Sequence, residues 1–401
     1  MRVRVSRFVI CAGMLLASMT YGGRPQAVAH DDPSAYHVVY LSSLGGTNSR
    51  GNSINDIGLV AGYSSLPGNQ TRHATAWLYG LRFDLGTLGG PNSSIAWPLK
   101  NTIGTIAGIS QTDVAEPLGE AWSCSAFFPP STATGKTCLG FVMEFGVMRP
   151  LPTLGGNNGF ATGVNNRSEV VGWAENTVHD DTCVPPQILQ FRPVVWGPGV
   201  NHIRQLPLLP GDSSGAATAL NDQDQVVGIS GICDQAVGRL TAAHAVLWDH
   251  GTVTNIGDLG AKYWNTPMAI NQRGVIVGFM GQPGDFDGNR LRAFRWSRSD
   301  GLRDLGTLPI PTHVYSSANG INERGQIVGT SCDADFVDCR AFVWEDGVMT
   351  DVNDRRSPTS ADILINGQDI NDSGVITGRA RRSTGERSGY VAIPTREGDV
   401  R

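Results

Sequence analysis

The 401-residue chain has few charged residues and no excess of basic ones. Charged residues make up 17% of the chain against 40% hydrophobic residues, which is the opposite of the balance in a disordered protein. Lys and Arg together number 31 and Asp and Glu 36, so the basic surface typical of nucleic-acid-binding proteins is missing. The 51 glycines follow no every-third-residue rule, which excludes collagen.

Motifs of common active sites and metal sites are also missing. The chain has no H-E-x-x-H sequence, no phosphate-binding loop and no zinc spacing of paired cysteines, so we predict neither a metal nor another cofactor. Residues 211–215 (GDSSG) match the G-x-S-x-G of a nucleophile elbow, but that motif needs a helix after it and strand-forming residues follow in this chain. Residues 285–289 (DFDGN) lack the distal Glu of a calcium loop, which favours a polar turn.

Only one apolar run is long, and it is too short to span a bilayer. It extends from Phe8 to about Met19, follows three arginines and precedes the small residues 27–29. This pattern predicts a signal peptide, residues 1–29, with a membrane anchor or a buried strand as the alternative. The mature chain is then acidic and exported, to the periplasm, the cell surface or the medium, with no second segment able to cross a membrane.

Removal of the signal peptide leaves an even number of cysteines, which favours disulfides in an exported chain. They are Cys124, Cys138, Cys183, Cys233, Cys332 and Cys339. Two pairs are close in sequence, namely the first two and the last two of these. The remaining two would then pair across neighbouring repeats, although six cysteines also allow other connectivities.

A hydrophobic residue, an asparagine and a glycine seven positions after the asparagine recur along the chain. The asparagines are Asn55, Asn101, Asn165, Asn221, Asn271, Asn322 and Asn371. The second copy has Lys100 where the others have an apolar residue. A second glycine three residues after the asparagine suits the left-handed position of a tight hairpin, with Ser168 and Asp224 as exceptions. We therefore expect the asparagines to be structural turn residues rather than a ring of ligands.

Short apolar strands that mostly end in Trp, such as residues 73–77 and 244–248, follow these hairpins and lead through a glycine turn to another strand. We expect these tryptophans in the core. Four strands in each repeat of about 50 residues, without an amphipathic helix, predict an all-β propeller. The seventh repeat is one strand short, and residues 36–41 supply a strand. The prediction is therefore one propeller of seven four-stranded blades over residues 30–393, closed by the mature N-terminus, with residues 394–401 as a tail.

Three motifs resemble the bacterial extracellular HAF repeats. They are the Leu-Gly-Thr-Leu-Gly-Gly run, the Ile-Asn-x-x-Gly-x-Val-x-Gly hairpin and the His/Arg-Ala-Phe-x-Trp strand, and the resemblance covers essentially residues 36–393. Repeats two and seven depart at the Trp position, and only residues 85–90 have the complete glycine run. The resemblance implies export and a propeller-like array, and it carries no activity, catalytic residue or cofactor.

Propeller geometry places one set of residues at the mouth of the central channel, seven positions before each turn asparagine. The polar and aromatic members are Asn48, Ser94, Asn158, Ser214, Trp264 and Tyr315, and Leu364 is the seventh residue. Such groups suit a sugar or another polar ligand, although Asn and Ser also favour turns on their own account.

We predict an exported binding or surface-interaction module without catalytic residues, with a polysaccharide or a surface protein as its partner. One alternative is a polysaccharide hydrolase or lyase that uses Asp and His residues on the loop face. The other is a purely structural surface protein.

Overall fold

Short antiparallel strands make up almost all of the computed structural model, which describes residues 35–120, 122–144, 146–199, 201–235 and 238–395. The predicted signal peptide and residues 396–401 of the predicted tail lie outside the described residues. The strands form seven four-stranded sheets, so the β-propeller of seven blades is confirmed. Within those ranges the helical elements are single turns, α1 (Trp122–Ser125) and a 3-10 turn (Val352–Arg355).

Each blade is one sheet, in which the first strand lies at the channel and the fourth lies outermost. After β1 (Ala35–Tyr40), blade 1 contains β2 (Ser49–Ile54), β3 (Val60–Ser65), β4 (Arg72–Leu78) and β5 (Leu81–Asp84). Blades 2 and 3 contain β6 (Gly89–Ser94), β7 (Ala107–Ala115), β8 (Lys136–Glu144), β9 (Val147–Pro150), and β10 (Gly159–Val164), β11 (Val170–His179), β12 (Leu189–Trp196), β13 (Ile203–Gln205). Blades 4 and 5 contain β14 (Ser214–Leu220), β15 (Gln225–Gly231), β16 (His244–Asp249), β17 (Thr252–Asn255), and β18 (Thr266–Ile270), β19 (Ile276–Met280), β20 (Arg292–Ser297), β21 (Gly301–Asp304).

The last two blades complete the ring. Blade 6 contains β22 (His313–Ile321), β23 (Ile327–Asp333), β24 (Cys339–Glu345) and β25 (Val348–Asp351), and blade 7 contains β26 (Ile363–Ile370), β27 (Ile376–Arg381), β28 (Arg387–Thr395) and β1. First strands of successive blades contact one another from blade 3 through blade 7 to blade 1. β1 pairs with β28, which extends beyond the predicted end at residue 393, and an otherwise open edge of blade 7 is covered.

The glycine at the end of the repeated motif lies on the second strand, where the first strand comes very close. In Gly172 and Gly278 an added Cβ would collide with the carbonyl oxygen of Phe160 and Thr266, respectively. No other residue fits at such a contact, because every other residue has a Cβ. The repeat therefore has glycine at this position because the two strands approach so closely, and not because the backbone needs to be flexible there.

Five of the seven turn asparagines close their own hairpins and also join neighbouring blades. Asn271 Oδ1 accepts hydrogen bonds from the backbone N–H groups of Arg273 and Val275, at 3.1 and 3.0 Å. Its Nδ2 donates to the carbonyl of Asn322 in the next blade, at 3.1 Å. The same bond to the next blade is made by Asn165, Asn221, Asn322 and Asn371. Asn371, in the last blade, donates to the carbonyl of Asn55 in the first.

A second series of bonds runs beside the first. In six of the seven blades, the residue after the turn asparagine donates its backbone N–H to a side-chain oxygen of its counterpart in the next blade, and Asp56 is the acceptor of the last bond. The series is Thr102, Asn166, Asp222, Gln272, Glu323, Asp372 and Asp56. These bonds bring the hairpins of neighbouring blades into a fixed register around the channel.

Blade 2 departs from this pattern where its sequence departs. Asn101 Nδ2 donates to the carbonyl of Thr105 in its own hairpin, at 2.9 Å. Lys100 forms an ion pair with the buried carboxylate of Asp369 in blade 7 and donates to the carbonyl of Ile370 at 2.9 Å. The lysine in this apolar position of the repeat therefore joins two blades through an ion pair.

Three disulfides link the six cysteines. They are Cys124–Cys138, Cys183–Cys233 and Cys332–Cys339. The second joins blades 3 and 4, and the other two lie within a blade. Cys138, Cys332 and Cys339 lie on strands that flank the connection between the second and third strands of a blade, and the other three lie in that connection.

Disulfides indicate an oxidising environment. Among the described residues, no helix is both long and apolar enough to cross a membrane.

Candidate functional site

A cavity of about 770 Å³ lies at one end of the central channel. Blade 1 shows which end it is, because Asn48 before β2 lines the cavity and Asn55 after β2 forms the hairpin at the other end. The lining comes mainly from strands and loops of blades 1, 2, 6 and 7, with Met268 and Phe279 from blade 5. This volume is in the range of pockets that hold one small ligand.

One wall of the cavity is aromatic. Trp97 and Phe127 line it and belong to a cluster with Phe160 and Trp173 of blade 3. Ring centroids in this cluster lie 4.6 to 6.0 Å apart with edge-to-face geometry. The cluster makes this part of the channel wall apolar and well packed.

The part of the lining that comes from blades 7 and 1 is cationic. Its arginines are Arg50, Arg72, Arg379, Arg381 and Arg387. Among the described residues that line the cavity there is no Asp, Glu or His. The positive charge is therefore local, because the chain as a whole has a net charge of −5.

Arg50 is held in place by amide side chains of the last blade. Its Nη2 donates to Asn366 Oδ1 at 3.1 Å and to Gln368 Oε1. Asn366 is itself held by a bond from its Nδ2 to Thr330 Oγ1 at 2.7 Å. Burial, together with the nearby positive charge of Arg379, lowers the pKa of Arg50 to about 10, so it stays cationic at neutral pH.

Tyr63 stands among three of these arginines. It pairs across the strands with Arg50, and Arg379 Nη1 lies 3.3 Å from its Oη. The Arg72 guanidinium lies over the ring, 4.4 Å from the centroid. Burial raises the pKa of Tyr63, but the charges of Arg379, Arg72 and Arg50 outweigh it and hold the pKa below its ordinary value.

Several buried polar atoms of this wall have no hydrogen-bond partner in the described part of the chain. They are the Nε atoms of Arg50, Arg72 and Arg379 and the Oδ1 atoms of Asn48 and Asn52. Buried polar groups are normally paired, and a buried cation without a partner is especially costly. The geometry of the wall thus offers several donors to an anionic ligand.

Half of the six predicted ligand residues line this cavity: Asn48, Ser94 and Tyr315 do so. Tyr315 packs edge-to-face on Phe336, 4.8 Å between ring centroids. Burial raises the pKa of Tyr315 although the side chain of Ser317 and the charge of Arg50 act in the opposite direction.

The other predicted residues are placed elsewhere. Asn158 Nδ2 binds the carboxylate of Glu175, at 3.1 and 3.3 Å. Ser214 is fully buried on β14. Trp264 lies against Gly288, and its Nε1 donates to the carbonyl of Phe286 at 3.3 Å.

Leu364, the apolar seventh member of the set, is fully buried in blade 7. The seven equivalent positions of the repeat therefore do not converge on one site.

The arginines were missed by the sequence reasoning, although two signals point to them. Side chains alternate along a strand, so Arg50 and Asn52 share the face of Asn48. The second signal is the residue that follows the glycine seven positions after the turn asparagine, which also points inwards. It is apolar in blades 2 to 5 and is Tyr63 in blade 1 and Arg379 in blade 7. The charge of Arg379 at a position that is apolar in most blades could therefore have indicated the cationic wall from the sequence.

The two catalytic or metal-like strings of the sequence form turns. A strand, β14, follows residues 211–213 where a nucleophile elbow needs a helix. The carboxylate of Asp285 accepts hydrogen bonds from the backbone N–H groups of Asn289 and Arg290, at 3.1 and 2.6 Å. Its oxygens therefore close the loop that residues 285–289 form. Among the described residues, no group of three or more His, Cys, Asp or Glu side chains is arranged to hold a metal ion.

The other end of the channel has the opposite charge. A cavity of about 130 Å³ is lined there by the hairpins, including Asp56, Asp222, Glu323 and Asp372. Burial and the charge of Asp372 raise the pKa of Glu323, against the backbone bond from Gln272. The channel is thus acidic at the hairpin end and cationic at the other.

No model of a known protein family matches the sequence, and no curated protein is similar to it. Among solved structures, the chain is similar to the β-propeller domain of the Trilobed protease from Pyrococcus furiosus, with a TM-score of 0.48 and 10% identity over 89% of this chain and 95% of that one. It is also similar to a gluconolactonase from Xanthomonas campestris, with a TM-score of 0.29 and 16% identity over 51% of this chain and 70% of that one.

A third similar structure is the Aleuria aurantia lectin in complex with Fucα1-6GlcNAc, with a TM-score of 0.34 and 10% identity over 88% of this chain and 98% of that one. Similarity at this level assigns no activity or ligand to this chain.

Proposed function

We propose that this protein is an exported HAF-repeat binding module whose arginine-lined cavity holds an anionic saccharide. The observation that carries the proposal is the presence of five arginines, without Asp or Glu, among the described residues that line the cavity. A carboxylate or another anion would pair with the Nε–H groups that lack partners.

The aromatic wall favours a sugar over a bare inorganic anion. Trp97 and Phe127 add apolar surface to the same cavity. The ring C–H groups of a sugar pack on aromatic faces, while amides such as Asn52 and Asn319 suit its hydroxyl groups. A uronate residue combines these features with a carboxylate.

The test is calorimetric binding of trigalacturonate and of its fully methyl-esterified form, which has the same skeleton without the charge. We expect only the charged form to bind, with an affinity that falls as salt is added. Arg379→Gln should weaken binding about ten- to hundredfold, because a hydrogen bond to a charged group is lost.

The matched control is Arg303→Gln on β21, whose side chain is 63% exposed and lies outside the cavity. It should bind like the unmodified protein. Equal affinity for the charged and esterified sugars, or no binding of either, would contradict the proposal.

A further inference from the structure

Tyr63 is the one phenol in the described cavity lining that three guanidinium groups surround. Arg379 Nη1 is 3.3 Å from its Oη, Arg72 covers its ring at 4.4 Å, and Arg50 lies opposite it on β2. Only 6% of the residue is exposed, and it lines the cavity. The described lining offers no carboxylate to neutralise these cations, so a phenolate is the negative charge that the wall itself can supply.

A phenolate in this position is a base. General bases work best when their pKa is brought towards the operating pH, and tyrosine serves in this role when nearby cations stabilise its anion. The three arginines lower the pKa of Tyr63 against the opposing effect of burial. A titratable group in a cavity whose pKa is shifted by specific charged neighbours is also a common mark of a reactive site.

We propose that Tyr63 is the catalytic base of a β-elimination, so that the protein cleaves 4-linked uronate glycans. This inference rests on the proposed binding of an anionic saccharide. It narrows the ligand to a uronate, because the carboxylate makes the proton on the neighbouring ring carbon acidic.

The reaction balances without a cofactor. The Tyr63 phenolate takes the proton from C5, the electron pair forms the C4=C5 double bond, and the C4–O glycosidic bond breaks. Where the C5 proton and the C4 oxygen lie on the same face of the ring, as in mannuronate, the leaving oxygen takes a proton from the Tyr63 phenol, which restores the phenolate. Where they lie on opposite faces, as in galacturonate, the leaving oxygen takes a proton from water and the phenol releases its own to the solvent. Arginine pairing with the uronate carboxylate would stabilise the negative charge that develops when the C5 proton leaves.

The arginine wall is prepared for this role. The amides of Asn366 and Gln368 hold Arg50 Nη2, which leaves its buried Nε–H without a partner among the described residues. A donor that is already oriented stabilises a developing charge without reorganisation during the reaction.

The experiment is incubation of the full protein with polygalacturonate and with alginate, followed by ultraviolet detection of unsaturated uronate ends. We expect product from at least one polymer and a loss of at least about 100-fold in its rate with Tyr63→Phe. Phenylalanine keeps the ring under Arg72, so trigalacturonate should still bind the variant within about threefold of the original affinity. Tyr79→Phe, at an 83% exposed tyrosine, is the matched control and should leave the rate unchanged.

The two proposals fail separately. If trigalacturonate binds and neither polymer yields an unsaturated product, the elimination is wrong and the binding function stands. If product forms equally fast with Tyr63→Phe, Tyr63 is not the base. If trigalacturonate does not bind and no product appears, the proposed binding function is wrong as well.

Discussion

Glu175 is buried between blades 2 and 3 beside a second carboxyl group, Glu120, and both residues are only 2% exposed. Its oxygens accept hydrogen bonds from the backbone N–H of Asn158 at 2.8 Å and from Gln187 Nε2 at 3.0 Å. Burial first, and then the charge of Glu120, raise the pKa of Glu175 to about 7. Burial also raises the pKa of Glu120. A buried acid pair of this kind makes stability depend on pH.

We expect the free energy of unfolding to fall as pH rises from about 5 to about 8. Between the ordinary pKa of 4.5 and the folded value of about 7, the folded protein holds a proton that the unfolded chain has lost, so raising the pH favours unfolding. Glu175→Gln should remove roughly 1–3 kcal/mol of this dependence. Urea unfolding of both proteins at pH 5 and pH 8 measures how far the free energy of unfolding changes with pH. The same change in the variant as in the unmodified protein would contradict the prediction.

Single residues also show what sequence reasoning found in the candidate site. Asn48, Ser94 and Tyr315 were found from their distance to the turn asparagine, although Ser94 is the last residue of its inner strand, whereas Asn48 and Tyr315 lie near the start of theirs. Arg72 and Arg379 were not found, because Arg72 lies on the third strand of blade 1 and Arg379 on the second strand of blade 7. Only the packing of blade 7 against blade 1 brings them to one wall.

At the scale of the element, the hairpin is the unit that the repeat encodes. The left-handed turn positions bear this out, since Gly58 has φ +81° and Ser168 and Asp224 both have φ +60°. The same hairpin makes contacts that its own sequence does not display, because the Nδ2 of Asn271 reaches Asn322 in another blade. A turn residue therefore serves two levels of structure at once.

We expect Asn271→Ala to cost about 3 kcal/mol and Asn101→Ala about 1 kcal/mol less. Asn271 loses three hydrogen bonds, one of them between blades, and each contributes about 1 kcal/mol. Asn101 loses two, to the backbone N–H and carbonyl of Thr105 in its own hairpin. Both asparagines are buried, so burial does not distinguish them. Urea unfolding gives both values, and equal losses would show that the bond between blades contributes nothing.

At the scale of the whole molecule, the ring is held by contacts between elements far apart in the sequence. β1 completes blade 7, with Ala35 opposite Thr395 and Tyr40 opposite Tyr390. The Cys183–Cys233 disulfide joins blades 3 and 4. Such links restrict the unfolded chain more when the loop that they close is longer.

Removing the disulfide between blades should therefore destabilise the protein more than removing one within a blade. Cys183 and Cys233 are 50 residues apart, whereas Cys332 and Cys339 are 7 apart. Loop entropy predicts losses of about 4 and about 2 kcal/mol for the paired alanine variants. The free energy of unfolding under oxidising conditions provides the comparison, and a larger loss for the short loop would overturn this order.

The sequence by itself determined the blade count, the hairpin positions and the disulfide-forming residues, because these depend on repeated local turn chemistry and strand periodicity. Signal peptide and family membership stay predictions. Tertiary structure alone decided the character of the cavity. Equivalent positions of the repeat, such as Tyr63 and Phe279, lie at different points around the channel, and each takes its role from what the neighbouring blades place beside it. Three separate arginines become one cationic wall around a tyrosine because the ring closes between blade 7 and blade 1.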